Sequence, residues 1–253
     1  MRNELSLDRA AEWARGTDRP PIIASAAWKG GDGKSTLAYE TAFQLGAVLG
    51  DFDWDKGGCT RSWGYRVEDR VRAPLLDAFE KGRTPAPVTG RRKPDLIPCH
   101  PDFGLNQPDP DAVADALEKW AVALGRPLMV DTHPGGCDST YGALKAADVV
   151  LVPAVLAEKS LNALEGMLDE LTDYPLLVIP HMVQNPPSTM FRKFKRITSQ
   201  YGVPVGPVVD YYKWIPSRTL RVAICSEPVS KRALPYVRQI DRVAEAVINY
   251  GRA

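Results

Sequence analysis

The chain has 253 residues, 44% hydrophobic and 25% charged, which are globular averages and exclude general disorder and fibrous architecture. Its 32 Lys and Arg against 31 Asp and Glu leave a formal charge of +1, so any attraction to nucleic acid must come from a local patch and not from the whole molecule. Four cysteines (Cys59, Cys99, Cys137, Cys225) lie far apart with no CxxC pair, which disfavours zinc and disulfide frameworks and favours scattered reduced thiols.

The opening stretch MRNELSLDRAAEWARG is charged and lacks an apolar leader core, and no window reaches the roughly 20 apolar residues of a membrane span. A soluble, cytoplasmic protein without membrane attachment is expected. Residues 1–20 read as a short N-terminal extension, and 21–253 as one α/β domain. PIIASAAW (21–28) is a buried strand, followed by a glycine turn and a helix from about Lys34 to Leu45. AVLGDF (47–52) is a second strand ending in carboxylates, and PDLIPC (94–99) and RPLMVD (126–131) are further strands with a helix over about 111–124 between them. ADVVLVPA (147–154), PLLVIP (175–180) and VPVGPVV (203–209) complete the strands; helices near 158–172, 187–201 and 235–250 separate or follow them. The segment 80–110, rich in Pro, Gly and Arg, reads as a surface excursion. This alternation of strand and helix predicts a mostly parallel twisted sheet flanked by helices.

Between the first strand and its helix stands Lys29-Gly30-Gly31-Asp32-Gly33-Lys34-Ser35-Thr36. Glycines let backbone N–H groups turn inward as an anion nest, and the helix N-terminus adds positive potential. Lys34 then reaches the β and γ phosphates of a nucleotide, and the Ser35 hydroxyl ligates magnesium. Asp51 and Asp53 stand at the end of the second strand and Asp131 ends the apolar run PLMV, the position where a Walker B carboxylate holds magnesium through water. Carboxylates at strand ends also cap turns, a role these three could fill without a ligand.

Trp28 occupies the place of the usual first loop glycine, and a lysine follows it. From Lys29 to Thr36 the sequence resembles the deviant Walker-type ATPases, the family of ParA and Soj partition proteins and MinD cell-division regulators, whose loop reads KGGxGK followed by two hydroxyl residues. The resemblance implies a single-domain P-loop NTPase that uses ATP and Mg2+ and forms a homodimer when ATP is bound. It implies catalytic roles for Lys29, Lys34 and Asp53: Lys29 crosses to the partner's nucleotide, and Asp53 orients the attacking water or a magnesium-bound water. It also implies Ser35, Asp53 and Asp131 as metal residues, Met182 and Gln184 in HMVQ (181–184) at the base, and a ParB-like centromere-binding adaptor as partner. DLIPCHPDFG (95–104), DTHPGG (131–136) and WIPSRTLRVAICSEPV (214–229) look like the family's post-insertion strand, switch segment and late loop. Asp32, Trp54-Asp55 and His133 depart from its pattern.

Basic residues cluster in FRKFKR (191–196), with Arg192, Lys193, Lys195 and Arg196, and again at Arg218 and Arg221. Each could be a solvated face balanced by acids; the resemblance implies non-specific DNA contact, hence nucleoid association, with steep salt dependence. MinD-like proteins end in a membrane-dipping amphipathic helix, whereas Val243, Ala244, Val247 and Ile248 here read as core packing. Other readings are a MinD-like positioning ATPase with a non-DNA cargo and a P-loop kinase, for which no acceptor pocket is identifiable.

Overall fold

The computed structural model describes residues 4–55, 58–67, 73–219 and 221–252. Strands β1 (Ile22–Ser25), β2 (Val48–Asp51), β3 (Asp95–Ile97), β4 (Leu128–Asp131), β5 (Val149–Ala154) and β6 (Leu176–Pro180) form one sheet in the order β3-β2-β4-β1-β5-β6. Every pairing in it is parallel. Strands of such a sheet are covered on both faces, so they appear as unbroken apolar runs instead of alternating ones. That is how Ile22–Ser25 and Val149–Ala154 read, and each of their residues is buried.

Alternate residues feed two cores. Ile22, Val48, Val130 and Val150 point to one, and Ile23, Leu49, Met129 and Val149 to the other. Helices α4 (Pro74–Glu80), α5 (Pro110–Leu124), α6 (Asp138–Ala146), α7 (Glu158–Glu170) and α8 (Ser188–Gln200) contribute to the first core. Helices α1 (Glu4–Arg15), α2 (Lys34–Leu45), the short α3 (Cys59–Trp63) and α9 (Leu234–Gly251) contribute to the second. The apolar positions Val243, Ala244, Val247 and Ile248 of α9 are fully buried there, as the sequence predicts. Among the described residues no helix is long and apolar enough to cross a membrane.

One expectation needs correction. The segment 203–209 is not a ladder strand: it meets β6 through one parallel bridge, Val178 to Val205, and a hydrogen bond from Val209 N to the Pro180 carbonyl. Pro204 and Pro207 supply no N–H, so a continuous ladder cannot form there. Within the N-terminal extension, α1 forms a helix that buries Ala10 and Trp13 against the second core, and its Arg9 Nη2 donates to Asn249 Oδ1 at 2.7 Å. Helix α6, which the sequence pattern does not announce, packs so closely on α5 that a Cβ at Gly142 would lie 2.5 Å from Val113 Cβ.

Candidate functional site

The loop that follows β1 opens at the carboxyl end of the sheet, where open parallel sheets place their ligand crevices. Gly31 and Gly33 adopt left-handed φ values of 91° and 82°, which turn successive N–H groups the same way. Gly33 caps α2 without a side-chain hydrogen bond, and no acid sits in the first turn of that helix. A Cβ at Gly33 would collide with His181 Cε1, so the loop is pressed against the end of β6. The His181 Nδ1 lies 2.9 Å from the Asp32 carbonyl, and burial holds its imidazole below the ordinary value, so the neutral Nδ1–H tautomer donates there.

Lys34 is buried with its Nζ 2.7 Å from Asp131 Oδ1 and 3.7 Å from Asp53 Oδ2. Burial pulls its ammonium down, but the charges of Asp131 and Asp53 more than offset this and raise it. Asp131 Oδ2 also accepts from Cys59 Sγ at 3.1 Å. Asp51 takes the backbone N–H groups of Thr60 and Asp53 at 2.5 and 3.2 Å, so it is the member of the Asp pair that builds the turn. Burial, then repulsion from Asp131, pushes Asp51 up to about 7. Burial raises Asp53 as well, against the pull of Lys34. Two buried carboxylates, Asp53 and Asp131, share the one Lys34 ammonium, and oxygen donors so placed fit a divalent cation. Ser35, Asp53 and Asp131, the residues expected to hold magnesium, border this point.

The loop, with Asp53, Asp55, Ser62 and Pro134, lines a cavity of about 660 Å³. Its far side is made by His181, Met182, Asp210, Tyr211, Tyr212, Ile215, Pro216, Arg218 and Tyr236. Of the two residues expected at the base, Met182 lines the cavity, whereas Gln184 is exposed and does not. After β6 the chain turns at Met182, whose φ is 51°, and Gln184 lies beyond that turn. The aromatic pair Tyr211-Tyr212 carried no motif in the sequence, nor did Asp210.

Asp32 does not point at the cavity. It is buried, its Oδ1 lies 3.2 Å from Lys29 Nζ, and it accepts from Ser160 Oγ at 2.8 Å. Lys29 also donates to Ser160 Oγ at 3.3 Å, so loop and α7 are joined by a triangle of three side chains. Trp28, in the place of the first glycine, packs edge-on against Tyr141 and donates to Glu170 Oε2 at 3.0 Å. The other departures also meet one another: Trp54 stacks on His133 at 4.0 Å, and His133 Nε2 lies 3.3 Å from Asp55 Oδ2.

The basic residues of α8 are partly neutralised. Lys193 pairs with Glu158 at 2.6 Å and Arg196 with Glu165 at 2.8 Å, both on α7. Lys195 lies over the Phe191 ring, and Arg192 stays exposed. Arg218 faces the nucleotide-sized cavity, and Arg221 stands beside Gly64. All four cysteines are free thiols.

No protein-family model matches the sequence, and no curated protein matches it either. Solved structures do match. The ATP complex of a McdA variant from Cyanothece aligns with a TM-score of 0.72 at 17% identity, over 90% of this chain and 96% of that one. The MinD cell division protein of Aquifex aeolicus aligns with 0.68 at 20% identity, over 90% and 97%. The pnob8 ParA structure aligns with 0.67 at 15% identity, over 92% and 98%. The chain thus has, over nearly its whole length, the single-domain P-loop fold of the ParA and MinD type.

Proposed function

We propose that the chain is a positioning ATPase of the partition type. In this reading it binds ATP with Mg2+, associates face to face as a homodimer when ATP is bound, and holds DNA without sequence preference. A ParB-like centromere-binding adaptor then stimulates a slow intrinsic hydrolysis to ADP and phosphate. The observation that carries the reading is the buried Lys34, poised between Asp131 and Asp53 at the mouth of a glycine cradle, with a second lysine, Lys29, at its rim. Support also comes from the fold, whose solved examples include an ATP complex of McdA and a Mg-ADP complex of MinD.

The roles follow from charge and position. Lys34 exchanges Asp131 for the phosphates, which frees that carboxylate. Ser35, Asp131 and Asp53 would hold Mg2+, which supplies charge neutralisation as the phosphoryl group departs. Asp53, at the boundary between the carboxylate cluster and the cavity, orients the attacking water. Lys29 leaves the Asp32–Ser160 pocket to reach the phosphates across the dimer, a positive charge supplied in trans as arginine fingers are. Met182, Tyr211 and Tyr212 border the base.

Self-association and DNA retention measured with ADP and with ATP test the reading. The wild type should dimerise and gain DNA affinity only with ATP; Lys29→Ala should bind ATP without doing either; Lys34→Ala should lose nucleotide. A wild type that binds ATP and stays monomeric would overturn it.

A further inference from the structure

Several cations that make no salt bridge among the described residues gather along one edge of the sheet. Strand β3 is the last strand of the sheet on that side, and beyond it Val88 makes only a single antiparallel bridge to Leu96. Helix α3 runs along it: Thr60 Oγ1 accepts from Cys99 N at 2.9 Å beyond the end of β3, and Trp63 Nε1 donates to the Pro94 carbonyl at 2.8 Å before its start. The late loop is tied to the same edge where Ala223 N donates to the Arg92 carbonyl at 2.9 Å. These ties bring together Arg61 from α3, Arg92 and Lys93 from the turn before β3, and Arg218 and Arg221 from the late loop. Lys93 Nζ lies 4.0 Å above the Trp63 ring and donates to its carbonyl at 2.8 Å. Arg221 packs so tightly against the next turn that a Cβ at Gly64 would sit 2.7 Å from its Cδ.

Among the described residues none of these five makes a salt bridge, in contrast to Lys193 and Arg196 on α8. Arg61 and Arg221 border two adjoining cavities of about 390 and 380 Å³, the first of which also takes in Arg218. The Lys93 ammonium is held down by burial and by the charge of Arg221, a sign that the like charges feel one another. Gathering cations costs folding free energy through their repulsion, offset in part at Arg218 by the buried Glu40 carboxylate, and an external polyanion relieves the rest.

We infer that this stripe of Arg61, Arg92, Lys93, Arg218 and Arg221, running from the nucleotide cavity along the β3 edge, is the surface that docks the phosphate backbone of duplex DNA. An isolated phosphate needs one or two of these groups. A duplex, with a charge about every 1.7 Å of its axis, suits a stripe that spans a strand from end to end. Because the stripe starts at the cavity wall, where Arg218 stands, nucleotide state and DNA affinity share a residue. The inference rests on the reading of the chain as an ATP-dependent DNA-binding protein.

The test is fluorescence anisotropy of a short labelled duplex with ATP and Mg2+ at several salt concentrations. The patch variant combines Arg61→Gln, Arg221→Gln and Arg92→Gly, glycine suiting the left-handed φ of 62° at that position. The control combines Arg192→Gln and Lys195→Gln on α8. The patch variant should weaken DNA binding by at least about tenfold and lower the salt slope by about 0.9 for each phosphate no longer neutralised, with the control unchanged. ATP affinity and the melting curve verify that each protein is folded; if the triple variant is not, the three single variants should each lower the slope by about 0.9, the share of one phosphate. Full duplex affinity in the patch variant, or loss of DNA in the α8 control alone, overturns the surface and leaves the wider reading standing. Loss of binding to anionic vesicles with duplex affinity kept would show a membrane-facing surface instead and overturn it equally. A wild type that binds ATP and no duplex at any salt removes the DNA reading and the surface together.

Discussion

Asp32 lies inside a loop shaped for anions, and only its pairing with Lys29 and Ser160 keeps its charge from opposing them. Replacing it by Asn removes a negative charge beside the phosphate cradle and releases Lys29. Asp32→Asn should therefore bind ATP several-fold more tightly by titration calorimetry, and the gain should persist or grow in a Lys29→Ala background, where the carboxylate has lost its ammonium partner. Weaker binding by the single variant would mean that the triangle shapes the loop and does not restrain it. The meeting of Lys34 with Asp53 and Asp131 was legible because a lysine after a glycine turn and carboxylates at the ends of apolar runs gather at the carboxyl edge of a parallel sheet. Ser160 and His181 were not, because they reach the loop from α7 and the end of β6, and no local pattern signals a contact between residues 128 or 149 positions apart. Gln184 shows the limit in the other direction: its side-chain chemistry suits a base, but the left-handed turn at Met182 carries it away.

Helix α2 does more than carry the phosphate loop. Its buried Glu40 accepts the N–H groups of Ile224 and Cys225 at 2.8 and 3.0 Å, and Tyr39 OH donates to the Arg221 carbonyl at 3.0 Å, so α2 holds the late loop. Burial raises the Glu40 carboxyl, and the two N–H donors work against that rise. Glu40→Ala leaves both donors unpaired and should cost about 2–5 kcal/mol in urea unfolding, with the late-loop amides losing hydrogen-exchange protection first. On the other side of α2, Gln44 donates to Asp241 of α9. Burial, then the charge of Glu245, lifts the Asp241 carboxyl to about 6. A raised acid binds its proton more tightly in the folded state, so its contribution is largest at low pH and is lost as pH rises from about 4 to 6. Wild-type stability should fall across that window, and Asp241→Asn should flatten the fall; an identical slope in both proteins would assign the loss elsewhere. The strands and long helices were legible because parallel strands are continuous apolar runs. Helices α1 and α6 were not: α1 is rich in charge and α6 in small residues, and each is fixed by a neighbouring helix instead of its own pattern.

The two cores share a single sheet, so neither can loosen without exposing the other face of the same strands. The molecule should unfold in one transition, with far-ultraviolet circular dichroism and tryptophan emission coinciding. Helix α1 belongs to that unit: Trp13 is 2% exposed, and Trp13→Ala should cost about 3–5 kcal/mol, lowering the midpoint without splitting the transition. A separate early transition would show instead that the N-terminal segment is an appendage. The parallel pairing of the sheet was implied by strand–helix alternation, but its strand order was not. The gathering of cations along the β3 edge was not, since residues 61, 92–93 and 218–221 become neighbours only after folding.

Trp28 gives this assembly a built-in optical signal. Its indole stands at the first residue of the phosphate loop and is hydrogen-bonded to Glu170 beside Tyr141. Any rearrangement that draws the loop toward a ligand changes the polarity around that ring. Subtracting the emission of Trp28→Phe from that of the wild type isolates the chromophore, so loop closure can be followed in stopped-flow time without attaching a dye.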